Sequence, residues 1–374
     1  MMKMVKKNKE GFIADESYYV ATQWELMWRK FKRHKLALFG SSILIILYIV
    51  ALFCEFFSPY DIYKRYPKYI YCPPQMIHFF DEEGKFYLRP FVYGLKKKYD
   101  PKTLRRKYIA DKTKKYPLRF FILGNKYKLW NLFPGDIHFF GVEDGVIFLF
   151  GTDKLGRDIF SRNIYATRIS LSIGLVGVGI SFVLGAILGG ISGYYGGTAD
   201  MVIQRIIEFL ISIPTIPLWM ALSAALPPRW SSIKVYFAIT IILSIIGWCS
   251  LARVVRGKFL ELKGQDFVMA AKISGSSELR IITRHLLPSF LSYLIVSLTL
   301  SIPSMILGET ALSFLGLGIR PPAVSWGTLL KDSQNIRTVA LHPWLLIPGV
   351  FVVITVLAFN FLGDGLRDAA DPYK

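Results

Sequence analysis

Cysteine is scarce in this chain. Cys54 and Cys249 lie in apolar runs and Cys72 stands alone outside them, which leaves no disulfide framework or cysteine-held metal cluster. The five histidines, at 34, 78, 138, 285 and 342, form no short-range pair with metal-ligand spacing. A G-x-x-x-x-G-K-[ST] phosphate loop is also missing. Gly84-Lys85 and Gly257-Lys258 lack both the upstream glycine and the following Ser or Thr. With no catalytic constellation, metal site or cofactor site, the expectation is a protein that hydrolyses nothing itself. A cleavable leader is not expected either. The first apolar run is too long for one, and Phe53 before Cys54 is too large for a lipoprotein cleavage site.

Acidic residues are few: 26 Asp and Glu stand against 46 Lys and Arg, a net charge of +20. In a soluble chain that excess would suggest nucleic acid, but no nucleic-acid-binding motif accompanies it. Much of the positive charge flanks long apolar runs: in the N-terminal arm, in one long loop and around Gln265. Anchoring against anionic lipid headgroups accounts for that distribution.

What the chain has in abundance is apolar sequence. A hydrophobic content of 53% and a mean hydropathy of +0.39 exceed those of an ordinary soluble domain. Several runs approach the roughly 20 residues that a helix needs to cross a bilayer. The expected fold is an all-α polytopic membrane protein with six transmembrane helices, at about 36–57, 167–194, 203–226, 235–255, 290–312 and 344–362. Residues 1–35 form an arm ending in the basic cluster R-K-F-K-R-H-K, which argues that this end is cytoplasmic. Residues 36–57 form an anchor helix. Residues 58–150, rich in Tyr, Phe, Pro and Lys, read as a mostly-β or irregular external insertion of short strands and turns. Residues 151–374 form the core, with a water-facing loop at 256–289. Six crossings put both termini on the side of that loop, in the cytoplasm.

That loop carries the most organised stretch, 265–288. Residues 266–274 read as a short helix with Phe267, Ala270, Ala271 and Ser274 on one face, closed by Gly275 in a left-handed conformation. A second helical run, 276–285, is expected to end before Pro288. A small-faced helix, a glycine hinge and a second helix make a compact knob.

The stretch resembles the coupling loop of ABC importer permeases, whose pattern is Glu-Ala-Ala, then Gly, then Leu-Pro. Ala270, Ala271, Gly275, Leu287 and Pro288 match it, and Met269 stands where the glutamate usually is. G-T-D-x-x-G-R-D-x-x-S-R, L-S-F-L-G-L-G-x-x-P-P-x-x-S-W-G and N-x-x-G-D-G-L-R-D-x-x-D-P further resemble signatures of the second permease of dipeptide, oligopeptide and nickel importers. With the loop they cover 151–374 almost continuously, and residue 36 onward resembles that family's anchor helix. The resemblance implies the type I importer permease fold in a bacterial or archaeal cytoplasmic membrane. It implies a second homologous permease, two ATP-binding subunits that hold the ATP and magnesium, and an extracytoplasmic binding protein. Peptide is the implied cargo, with oligosaccharide or nickel as alternatives. In that family the loop seats in a groove of the ATPase, which makes Phe267, Ala270, Ala271, Gly275, Leu287 and Pro288 the candidate coupling residues.

Candidate gate or path residues are Asp153, Arg157, Asp158, Pro214, Pro217 and Glu309. Glu309 is an intramembrane charge, which favours either a place on the path or a bond to backbone or Arg320 near the helix end. Asp153, Arg157, Asp158 and Arg162 read equally as a latch or as caps orienting an interfacial helix. Pro214 and Pro217 predict a bent, pore-lining helix. Gly177, Ser181, Gly185, Gly189 and Gly193, recurring every four residues, predict close helix packing. The basic clusters around Lys96, Lys97, Lys98, Arg105, Arg106 and Lys107 read as a docking face for the binding protein, or as a lid over lipid. Two other classes compete. An ATP-independent secondary transporter predicts an internal repeat and charges near several span centres, and neither is seen. A membrane-anchored adhesion or sensor protein would not require a shaped loop between spans four and five.

Overall fold

The computed structural model describes residues 22–99, 101 and 106–371. Residues 1–21 of the expected arm, and Arg105 of the basic clusters, lie outside the described residues. The arm's remainder holds α1 (Gln23–Phe31), capped by the Thr22 hydroxyl with Glu25 closing a capping box. Met27 and Phe31 pack it against Ala37 and Ala369 at the chain's other end.

Among the described residues, five helices are long and apolar enough to cross a membrane. They are α2 (Lys35–Leu52), α4 (Ile159–Tyr195), α7 (Ser232–Leu262), α11 (Leu291–Phe314), and α14 (Ile347–Ala370) with the short turn before it. The third expected crossing is two helices, α5 (Gly197–Ser212) and α6 (Thr215–Ala224), bent by 87° at their junction. Proline explains the break. Pro214 disfavours helical geometry at the residue before it, and Ile213 is extended (φ −87°, ψ 129°). Pro217 then falls in the first turn of α6, where its missing N–H costs little. Counted as one span, the bent pair gives the expected six.

The small-residue stripe of α4 is what lets α7 come close. A Cβ on Gly189 would lie 2.5 Å from the Ala252 carbonyl oxygen, and one on Gly193 would lie 2.6 Å from the Phe259 Cβ. Leu171, Ile173, Ile239, Leu243, Ile306, Trp326 and Phe359 fill the core between α4, α7, α11 and α14. Beyond α11, α12 (Trp326–Leu330) and α13 (Ile336–Leu341) lead back into the last helix.

After the four-residue α3 (Cys54–Phe57), the insertion forms two antiparallel units. One sheet has the order β1 (His78–Phe80), β2 (Phe86–Tyr99), β3 (Arg106–Pro117), and β4 (Arg119–Leu129) pairs with β5 (Phe133–Gly141) as a hairpin. The strands are longer than the short ones expected; β2 has 14 residues and β3 has 12. Cations on these strands meet partners nearby: Lys96 pairs with Asp111 and Lys115 with Asp81, each at 2.9 Å. The Lys115 ammonium holds the Asp81 carboxyl down at about 2. Part of the basic surface is therefore internally neutralised. Val92, Leu118, Phe140 and Ile147 form the insertion's own small core. Arg168 of α4 clamps its base, donating to Glu55 Oε1 and Oε2 at 2.6 Å each and to the Ala51 carbonyl at 2.8 Å.

Candidate functional site

The loop after α7 folds as a knob set against the ends of two membrane helices. α8 (Asp266–Ile273) is followed by Gly275 at φ +75°, the left-handed turn that glycine enters without penalty. Then come α9 (Glu278–Ile281), a π-helical turn (Ile282–Leu286) and α10 (Leu287–Ser289). The second run thus continues through Pro288, where an end was expected. A wide π turn, with the Leu287 N–H donating to the Ile282 carbonyl, gives the proline ring room it lacks in a regular α-helix.

Which face of α8 looks inward is a correction. Phe267, Ala270 and Ser274 are exposed as expected, but Ala271 is buried. It joins Val268, Ile281 and Leu286 against Val255 and Phe259 of α7 and Leu294 of α11. Ala271 is small because it seats the knob, and the outward face is made by other residues. Phe267, Met269, Ile273 and Leu279 are exposed, Ile273 at 85% and Leu279 at 72%. A cluster of large apolar side chains on a water-facing loop is the ordinary mark of a protein partner. Met269, which breaks the glutamate pattern, adds to that apolar face. Ile273 and Leu279 were missed from sequence; the available signal was a large aliphatic residue beside each end of the glycine turn. The Tyr195 hydroxyl donates to Glu278 Oε2 at 2.8 Å and ties the knob to the end of α4.

A cavity of about 980 Å³ opens between α4, α7, α11 and the end of α14. Its wall carries the hydroxyls of Ser181, Ser250, Ser292, Ser297, Ser301 and Ser304, together with Tyr293 and Met305; Lys258 and Arg367 lie toward the ends of α7 and α14. Such a wall offers hydrogen bonds without a fixed charge along most of its length.

Glu309 does not line it. The carboxylate is fully buried, accepting from the Ser313 hydroxyl at 2.6 Å and from the Ser170 hydroxyl at 3.4 Å. It lies near the end of α11, as one reading expected, but its partners are the two serines and not backbone or Arg320; Arg320 instead donates to the Pro227 carbonyl. Asp153, Arg157, Asp158 and Arg162 form a knot. Asp153 accepts from Arg157 Nε at 2.7 Å, from Arg162 and from two backbone N–H groups, while Asp158 caps α4 through Ser161. Lys154 reaches Asp332 at 2.8 Å, and the Trp344 indole donates to the Thr152 carbonyl at 3.2 Å. These contacts join the start of α4 to the approach to α14, and the Cys72 N–H, donating to the Thr152 hydroxyl at 2.8 Å, ties in the insertion. Pro214 and Pro217 sit at the α5–α6 bend and are brought to none of these groups.

Residues 181–373 match the family model of the binding-protein-dependent transport system inner membrane component. Residues 22–74 match that of the N-terminal transmembrane domain of oligopeptide transport permease C. The dipeptide transport system permease protein of Bacillus subtilis (strain 168) is 32% identical over 92% of this chain and 84% of its own length. The oligopeptide transport system permease proteins of B. subtilis and of Haemophilus influenzae are 40% and 44% identical, each over 60% of this chain and over 71% and 70% of themselves. Among solved structures, an inward-facing form of the MetNI methionine ABC transporter covers 56% of this chain and 97% of itself, at 19% identity and a TM-score of 0.45.

Proposed function

The chain belongs to the family of binding-protein-dependent transport system inner membrane components, and from that membership we propose that it forms half of the path of an ATP-driven peptide importer. Dipeptide and oligopeptide permeases are the relatives similar to it, which favours peptide over oligosaccharide or nickel. The assembly needs a second homologous permease, two ATP-binding subunits carrying ATP and magnesium, and an external binding protein. The orientation follows: both termini and the knob lie in the cytoplasm, and residues 58–150 outside.

The observation that carries the reading is the exposed apolar knob, packed through Val268 and Ala271 onto the ends of α7 and α11. A partner that grips Phe267, Met269, Ile273 and Leu279 and then closes on ATP must drag those helix ends with it. The same two helices line the serine-walled cavity, so displacing the knob reshapes the path. Walls of hydroxyl and apolar groups suit cargo whose side chains vary but whose backbone always offers hydrogen-bond partners.

The test is uptake by vesicles holding the complete assembly. Labelled di- and oligopeptides are expected to accumulate only with ATP and binding protein present, and unlabelled peptide is expected to compete. Accumulation without ATP would make the chain a secondary transporter. Competition by an oligosaccharide or nickel, but not by peptide, would replace the cargo.

A further inference from the structure

The β4–β5 hairpin carries large apolar side chains that the insertion's own core does not use. Leu132 is 71% exposed and Phe133 59%, with Trp130, Leu123 and Ile137 also exposed on the same hairpin. Its course is set by contacts with the chain leaving α2. Phe139 packs on Phe57 and Phe56, His138 Nδ1 lies 2.5 Å from the Ser58 carbonyl, and at the tip Trp130 packs on Phe53. The Trp130 indole donates to the Leu52 carbonyl at 2.9 Å, at the last residue of a membrane-spanning helix. Read in that order, the hairpin runs back down the chain toward the bilayer, and its tip stops level with the end of α2.

The turn that presents the tip is locally disfavoured. Trp130 and Asn131 both have positive φ, +52° and +61°. Asparagine tolerates that region, but a bulky tryptophan there is an outlier that the surroundings must hold in place. What holds it is the bond to Leu52, which fixes an amphipathic ring at the boundary of a span. Exposed Ile45, Ile46, Ile49, Leu52 and Phe53 continue the apolar surface down α2 itself. The hairpin's apolar surface is therefore an extension of a face that must already meet acyl chains. Lys126 and Lys128, exposed beside the tip, are placed to meet headgroup phosphates.

We propose that the β4–β5 tip, through Trp130, Leu132 and Phe133, docks into the lipid interface at the C-terminal end of α2 and holds the insertion against the membrane. The occupant is lipid, because the patch is continuous with a transmembrane helix face and carries an interfacial tryptophan at its edge. The inference rests on the membrane spans and not on the cargo.

The experiment places a nitroxide on Leu132→Cys in the full assembly, in vesicles of phosphatidylethanolamine and phosphatidylglycerol. The native Cys54, Cys72 and Cys249 are buried and escape the label. Collisions with dissolved oxygen are expected to exceed those with a water-soluble nickel chelate several-fold at 132. Leu88→Cys, an exposed position on the other sheet, is expected to give the reverse. Phe133→Cys serves as a second tip position. A label at 132 and 133 as open to the nickel chelate as at 88 would overturn the proposal. So would a label shielded from both probes, which would place a protein partner on the tip.

Discussion

Asp200 and Arg256 meet as a two-point ion pair, Oδ1 to Nε at 2.5 Å and Oδ2 to Nη2 at 2.6 Å, with the Ser192 hydroxyl also donating to Asp200. The pair joins the start of α5 to α7, six residues before the end of α7 at Leu262. Both side chains are part-buried, so each partner left alone keeps an incompletely solvated charge. Asp200→Asn is expected to lower unfolding stability by on the order of 1 kcal/mol, the scale of a charge-assisted bond in a partly wet site. A double-mutant cycle with Arg256→Gln, followed by thermal unfolding in detergent, measures it; additive losses would mean the two side chains do not act together.

Gly275 is open on all sides: a Cβ there meets no atom within 4 Å. Any penalty from substitution is therefore backbone strain at φ +75° and not a clash. Gly275→Asn should keep ATP hydrolysis stimulated by the binding protein, since asparagine tolerates left-handed geometry. Gly275→Val should insert normally and lose most of that stimulation. Equal activity in the two variants would show that the turn's handedness does not matter.

The inward and outward faces of α8 separate seat from grip. Ala271→Trp overfills a packed site and is expected to destabilise the chain by about 1–3 kcal/mol. Ile273→Asp, at an exposed position, should leave stability unchanged while weakening co-purification with the ATP-binding subunits. A variant Ile273→Asp that assembles and hydrolyses normally would remove the knob's outer face from the coupling surface.

The spans were readable from long apolar runs, and the knob from its glycine and its setting between two spans. The inward face of α8 was not. Over eight residues, apolar side chains on both the inward face (Val268, Ala271) and the outward one (Phe267, Met269, Ile273) leave the helical period with too little contrast to orient it. The partners of Glu309 come from Ser170, 139 positions away, and from Ser313, and only tertiary packing brings the first to it. The bend at Pro214 was legible as an interruption, but its 87° depends on what the two halves pack against. Tryptophan at a positive-φ turn position has no sequence signal at all.

Orientation has a direct test. Lys97→Cys lies in the insertion and Gly264→Cys between α7 and the knob. A membrane-impermeant thiol reagent applied outside intact cells is expected to modify position 97 and spare 264. The reverse pattern would invert the topology and place the knob where no ATP-binding subunit can reach it.

Glu309 is the group whose role shifts most between sequence and structure. Its carboxylate does not line the serine-walled cavity; it holds Ser313, whose hydroxyl accepts from the Ile319 N–H at 3.0 Å, and Ser170, whose hydroxyl accepts from the Trp326 N–H at 3.2 Å. Through two serines it fixes both ends of the segment that leaves α11 and returns at α12. Glu309→Gln keeps an acceptor of similar shape and should cost little. Glu309→Leu removes the acceptor while both hydroxyls stay buried, and a lost buried partner costs about 1–3 kcal/mol. The expected outcome is a lower melting temperature for Glu309→Leu, with the peptide concentration for half-maximal uptake unchanged in whatever fraction still folds. A changed half-saturation with an unchanged melting temperature would return Glu309 to the transport path, since only a group that meets cargo alters affinity without altering the fold.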